Sequence, residues 1–426
     1  MKAAILKFNS IGYSVIILFD FLKIAFFATL VSWISFFPEP IQGKYAIYAR
    51  VFLGLFFLLL FFKEGRPKNL FGFHDWPLWV FLASLSAGLV SAQDKQIAWD
   101  TYFNLVFNLF FIFYIGKVLL SEEKNRAWIA SVICISSGLV AGIGISELYF
   151  GKSIIYESFI NNPFYVRYMG SRPMSTQFNP AVLGSYLLGC LPFSFYLSKD
   201  KRLYLRLLGL FFSLPVLFVI ILTFSRGVFL GLIALLSFYL WKRQKKTILT
   251  LFLLCLILFV SVCSFQKNIN LNRLGFERLI LGSHDSMISE YRLNRVKMAL
   301  TIAKDYPFFG IGFNHFRIRF DEYCADRDKG EELYEFRIPD NMYLTFLAET
   351  GIVGTLGFLV FIFLLFKKAF RKISEIKNNE KRHFLVISMS ALIGLLVNMG
   401  AYELFYWYNP YMLFCLFCGF MGSDEK

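Results

Sequence analysis

Residues 203–241 read LYLRLLGLFFSLPVLFVIILTFSRGVFLGLIALLSFYLW. A water-soluble helix of this length would show a polar stripe, and this one shows none. In lipid the backbone must satisfy its own polar groups, so such a run is helical. It is too long for one crossing, since about twenty residues span a bilayer. Either it is a single overlong helix or it is a hairpin turning at Thr223–Gly227. The flanks decide. Lys199, Lys201 and Arg202 precede it, and Lys242, Arg243, Lys245 and Lys246 follow it. Basic clusters stay on the cytoplasmic side, and a single crossing would export one of them. The pattern therefore predicts a hairpin with Ser225, Arg226 and Gly227 at the outer membrane edge.

The rest of the chain repeats this theme. With 57% hydrophobic and 17% charged residues, the chain falls outside the balance of a soluble domain. Apolar runs such as Ile24–Phe37, Val51–Phe62 and Leu356–Phe366 have no charged face. About twelve spans are expected, beginning near Ile11, Tyr45, Trp76, Asp100, Trp128, Pro180, Leu203, Ser225, Ile248, Asn341, Phe384 and Glu403. The fold class is all-α and polytopic, with residues 1–426 forming one transmembrane domain. Alternate loops carry Lys63–Lys68, Lys117–Arg126, Lys199–Arg206, Lys242–Lys246 and Lys367–Arg382, while the loops between them are poor in Lys and Arg. Both termini and the basic loops are thereby expected in the cytoplasm. A net charge of +15 would point to nucleic acid in a soluble domain, but clustering between apolar runs makes it a topology signal, so no nucleic-acid partner is expected. The first run is too long for a cleaved signal and lacks a small-residue cleavage site, so it is expected to remain as a span.

Two longer segments fall on the outer side. Gly151–Asn179 is polar and contains Pro163 and Pro173. The large loop, Gln266–Pro339 (266–340 with its closing residue), lies between the ninth and tenth spans. Within it the period of Leu293, Val296, Met298, Leu300 and Ile302 predicts an amphipathic helix over Glu290–Lys304. Asp305-Tyr306-Pro307 then breaks it, and Gly310-Ile311-Gly312 turns the chain.

Few side chains can carry chemistry. Of seven Cys, only Cys324 lies in the loop, so there is no disulfide framework; Cys415 and Cys418 read as packing residues. His284 and His315 lack metal-ligand spacing, and no metal or cofactor is expected. Arg172, Arg226 and Arg292 face outward, against the charge rule. A guanidinium grips phosphate oxygens bidentately and stays charged in low dielectric. The blander alternative for each is a headgroup anchor or a solvated charge. Asp340 follows Pro339 and opens the tenth span with Asn341; it is either the helix N-cap or a functional carboxylate. Glu349, deeper in the same helix, should pair with a cation or mark a site.

Four ordered stretches carry a resemblance to the O-antigen ligase and polymerase superfamily of bacterial membrane glycosyltransferases. They are Arg172-Pro173 through Phe178-Asn179-Pro180 and Leu183-Gly184-Ser185-Tyr186-Leu187; Thr223-Phe224-Ser225-Arg226-Gly227; Arg292 through Asp305-Tyr306-Pro307-Phe308-Phe309-Gly310-Ile311-Gly312; and Asp340-Asn341-Met342-Tyr343-Leu344 through Glu349-Thr350-Gly351-Ile352-Val353-Gly354. The chain departs from the family at Asp340, where the pattern usually has His.

The resemblance implies a metal-independent GT-C type transferase in the bacterial inner membrane, acting on its periplasmic face. The donor would be a glycan on undecaprenyl pyrophosphate, and the acceptor a lipid A core or a growing glycan. Asp340, Arg226 and Arg292 would be catalytic, with Arg172, Asn341, Tyr343 and Glu349 binding substrate. The rival readings are a lipid-linked oligosaccharide flippase or polysaccharide exporter, and a non-catalytic assembly subunit. Nearly uncharged mid-span segments speak against transport.

Overall fold

The computed structural model describes residues 2–37, 45–64, 75–120, 122, 124–151, 172–243, 286–324 and 337–423. Every regular element among them is helical. In chain order these are α1 (Lys2–Phe36), α2 (Ala46–Glu64), α3 (Trp76–Leu85), α4 (Ala87–Val90), α5 (Lys95–Leu119), α6 (Asn125–Phe150), α7 (Pro180–Leu197), α8 (Leu203–Leu222) and α9 (Arg226–Lys242). There follow α10 (Ser286–Asp305), the short α11 (His315–Ile318) and α12 (Phe320–Tyr323), then α13 (Met342–Glu375), α14 (Asn379–Met399) and α15 (Tyr408–Gly422).

Among the described residues, seven helices are long and apolar enough to cross a membrane: α1 (from Phe19), α5, α6, α7, α8, α13 and α14. Two shorter apolar stretches, Ile47–Leu60 and Trp76–Val90, add to them. The ninth expected span, beginning near Ile248, lies outside the described residues. The helix of the twelfth run starts at Tyr408, not near Glu403, because residues 404–406 form a separate 3-10 turn.

The hairpin at 203–241 is present. α8 ends at Leu222, Phe224 takes a left-handed φ of 46°, and α9 begins at Arg226. The two helices run in opposite directions along α7. Gly209 of α8 faces Ser194 and Leu197, whereas Val228 of α9 faces Gly184 and Tyr239 stacks near Phe195.

The charged groups sort to the two ends of the bundle. At one end Lys23 bridges Asp20 and Glu122 at 3.4 and 2.8 Å, and Lys124 joins Asp20 at 2.5 Å. Lys117 is clamped to buried Asp75 at 2.6 Å. Arg202 pairs with Asp200, and Arg243 reaches His383. Thus the basic clusters before α8 and after α9 share an end. Between the ends lies one apolar core of Phe, Leu, Ile and Met, with Cys190, Cys415 and Cys418 buried in it.

Candidate functional site

The opposite end is built from backbone that departs from helix. Five non-glycine residues there take left-handed φ: Ser175, Phe178, Phe224, Asn314 and Asp340. Such strain persists only where surrounding contacts hold it, and it gathers at functional sites.

Residues 172–179 fold inward instead of lying on the surface, and Pro173 to Asn179 are buried. Buried Glu147 of α6 makes this possible by accepting the amides of Met174 and Ser175 at 3.0 and 2.6 Å. Gln177 donates to the carbonyl of Ser35 and accepts from Asn409. Asn179 then caps α7 on the amide of Ala181, with Pro180 at the first helical position. The outcome is a fixed Arg172, whose Nε donates to the carbonyl of Thr223 at 2.6 Å, beside the α8–α9 turn.

The large loop is joined to α13 first through backbone. α13 breaks at Gly351, which has φ 64° and ψ −162°. The break frees the carbonyls of Ala348 and Glu349, which accept from the amides of Ile311 and Gly312 at 2.9 and 3.0 Å. In return, the amides of Ile352 and Val353 donate to the carbonyls of Pro307 and Phe308. The sequence blocks 305–312 and 349–354 are therefore two halves of one joint. Glu349, 2% exposed, completes it: its carboxylate accepts from the amides of Asn314 and Phe316 and from the Tyr406 hydroxyl. His315 fixes the far side. Its Nε2 accepts from the amide of Asp94 at 2.8 Å, so the proton sits on Nδ1 and goes to the carbonyl of Phe313. Burial holds this imidazole below its ordinary pKa, which keeps it neutral.

On this frame the charged groups meet. Asp340 Oδ2 accepts from Arg295 Nη1 at 3.0 Å and lies 3.7 Å from Arg292 Nε. Arg226 opens α9 directly after the α8–α9 turn. The exposures are graded: the side chain of Arg295 is 7% exposed, Asp340 24% and Arg292 58%. Both arginine contacts of Asp340 fall on Oδ2, so among the described residues Oδ1 is left for another donor. Behind this group Arg317 stacks 6.0 Å above the Tyr406 ring, whose hydroxyl donates to Glu349. Glu403 is buried and accepts from the Thr345 hydroxyl at 2.5 Å. Burial pushes its pKa up to about 8.

The structure corrects one of the two roles open to Asp340. The N-cap of α13 is Asn341, whose Oδ1 accepts from the amides of Tyr343 and Leu344; Asp340, at φ 54°, stands one residue outside the helix. It brings Asp340 against Arg292 and Arg295, and it sets Arg226 at the start of α9, directly after the turn to which Arg172 is anchored. The other three named residues point their polar atoms into the protein. Asn341 also ties to the carbonyl of Gly400, Tyr343 donates to the carbonyl of Leu396, and Glu349 holds the loop backbone rather than a cation.

Three site residues escape the sequence analysis. Arg295 was the most legible. Arg295, Met298, Ala299 and Ile302 form the buried i, i+3, i+4, i+7 face of α10, so the period itself puts an arginine inside. Arg317 and Glu403 belong to short irregular segments that carry no such period. Among the described residues, no group of three His, Cys, Asp or Glu is arranged to hold a metal ion.

A family model described as O-antigen ligase matches residues 208–359. The match bears out the resemblance and contains Arg226, Arg292, Arg295, Arg317 and Asp340, while Arg172 and Glu403 lie outside it. No curated protein matches the chain.

Proposed function

We propose, from the match of residues 208–359 to a family model described as O-antigen ligase, a membrane glycosyltransferase that moves a glycan from a polyprenyl pyrophosphate, undecaprenyl pyrophosphate in a bacterium, to an acceptor hydroxyl on the periplasmic face. The observation that carries this reading is Asp340 held 3.0 Å from Arg295 and 3.7 Å from Arg292, with Arg226 opening α9 beside the turn that anchors Arg172. Arg226 and Arg292 stabilise the departing pyrophosphate, whose charge grows as the glycosidic bond breaks. Arg172 extends the cation surface from its anchor on Thr223. Asp340 Oδ1 orients the acceptor hydroxyl and takes its proton late, once the leaving group has begun to depart. Asn341, Tyr343 and Glu349 act by holding α13 and the loop in place.

The alternative of a flippase or exporter draws on the break in α13, since transporters break helices at their sites. Here loop 307–312 fills the break and pairs its backbone groups, which favours a fixed scaffold over a moving gate.

The test is transfer in vitro from a polyprenyl-pyrophosphate-linked glycan. Arg226→Lys should lose most of the activity at unchanged expression, because a point charge cannot replace bidentate phosphate binding. Unimpaired transfer by Arg226→Ala would sink the role given to this arginine.

A further inference from the structure

The first turns of α13 are tied at three points to the segment between α14 and α15. Asn341 Nδ2 donates to the carbonyl of Gly400 at 2.9 Å, Thr345 Oγ1 stands 2.5 Å from Glu403 Oε1, and the Tyr406 hydroxyl meets the Glu349 carboxylate. Positions 341, 345 and 349 are four apart, so one face of the helix carries all three. On the other side 400, 403 and 406 are three apart, and Leu404–Tyr406 form a 3-10 turn. Asp340 directly precedes the first tie.

The two acids among these ties are both buried, but they are not equally supplied. Glu349 takes three donors: the amides of Asn314 and Phe316 and the Tyr406 hydroxyl. Among the described residues Glu403 has one, the Thr345 hydroxyl. A buried carboxylate with so little support is costlier than its neutral acid. The hydroxyl, in turn, has one hydrogen and two close acceptors. Its oxygen lies 2.5 Å from Glu403 and 2.9 Å from the carbonyl of Asn341. With Glu403 charged, the hydroxyl donates to it, and the contact with Asn341 has no hydrogen. With Glu403 protonated, the acid donates to Thr345 and Thr345 donates to Asn341, so both contacts are hydrogen bonds. Burial works in the same direction and lifts the acid from its ordinary 4.5 to about 8. The charge of Arg317 and the Thr345 bond oppose this, and the charges of Glu349 and Asp340 add to it.

We propose that Glu403 holds a proton at neutral pH and is a positioning residue of the site: it donates to Thr345, which completes the chain to the Asn341 carbonyl and fixes the backbone that carries Asp340. The positioning role rests on the functional reading above. Glu403 touches neither donor nor acceptor, and its proton is held, not passed on. When it ionises, the chain loses its first link and a negative charge is left buried with a single donor.

Transfer measured against pH on the parent, Glu403→Gln and Glu403→Ala tests this. In the parent, kcat should fall about tenfold as pH rises through about 8, at unchanged KM. Gln has the shape of the protonated acid, and its amide donates to Thr345 without titrating. Glu403→Gln should therefore keep the neutral-pH rate within about twofold and lose the alkaline fall. Glu403→Ala should be about tenfold slow at every pH. Two readouts need no activity. The infrared difference between parent and Glu403→Gln at neutral pH should contain the carbonyl stretch of a protonated carboxylic acid, fading as pH passes about 8. The parent's melting temperature should fall as pH rises from 4.5 to about 8, where the unfolded chain has released this proton and the folded one keeps it; Glu403→Gln should flatten that slope. An alkaline fall that persists in Glu403→Gln, a Gln variant as slow as Glu403→Ala, or absence of the acid stretch overturns the proposal. Absence of transfer by the parent overturns the functional reading and the positioning role with it, while the stretch and the melting curves still decide the proton.

Discussion

Asp340 and Asn341 divide two jobs that one residue could have carried. Asn341 caps α13 and ties it to Gly400, while Asp340 is turned out of the helix at φ 54° toward the arginines of α10. The consequences of substitution should therefore differ. Asp340→Asn keeps an acceptor for Arg295, so folding should hold, but transfer should fall by about 10² to 10⁴ with the loss of the base. Asn341→Ala should instead lower stability by about 1 kcal/mol, the usual worth of a cap, with transfer kept in the folded fraction. Melting curves run beside a transfer assay separate the two, and full activity in Asp340→Asn would remove its carboxylate from the mechanism. Asp340→His restores the residue usual in the family and should recover part of the rate. Sequence alone could not apportion these roles, because Asp and Asn cap equally well and sit side by side. It could single out Arg226 and Arg292 as candidates, since an outward arginine breaks the charge rule. Arg295 was legible only through the period of α10, which sets it on one face with Met298, Ala299 and Ile302.

At the scale of elements, the joint between loop 305–312 and the break in α13 holds the site together. Gly351 takes φ 64°, and a Cβ there would stand 2.3 Å from the carbonyl oxygen of Phe308. Gly351→Ala should therefore destabilise by at least about 2 kcal/mol, from the left-handed backbone and from separation of the two strands of the joint. Gly54→Ala is the matched control. It also lies in an apolar helix, but a Cβ there meets nothing within 4 Å, so it should be neutral or gain up to about 1 kcal/mol. Equal melting temperatures for the two variants would mean that the joint adds little. The hairpin of α8 and α9 was legible because the charge rule reads each end of a span separately. The joint was not, although both of its motifs were visible. Apolar periodicity treats 342–375 as one span, and nothing local says that Gly351 trades helix bonds for bonds to a loop some forty residues upstream.

The whole molecule keeps its two ends chemically distinct. One end is a set of satisfied ion pairs around Lys23, Lys117, Lys124 and Arg202, which fixes the helices without strain. The other carries the five left-handed residues and the arginines around Asp340. This polarity implies a direction in the membrane. Lys and Arg near span ends resist export, and the ion-paired end also holds Lys199, Lys242, Arg243, Lys368 and Lys372, so that end should face the cytoplasm. On the proposed function the arginine end faces the periplasm, where a lipid-linked glycan donor would present its head. α8 and α9 provide the sharpest check, since a single crossing through 203–241 would invert everything after it. Reporter fusions after Lys245 and after Arg371 should read cytoplasmic, and a fusion at Arg327 periplasmic. A cytoplasmic signal at Arg327 would place the large loop on the wrong side of the membrane for a periplasmic transferase, whatever the geometry around Asp340.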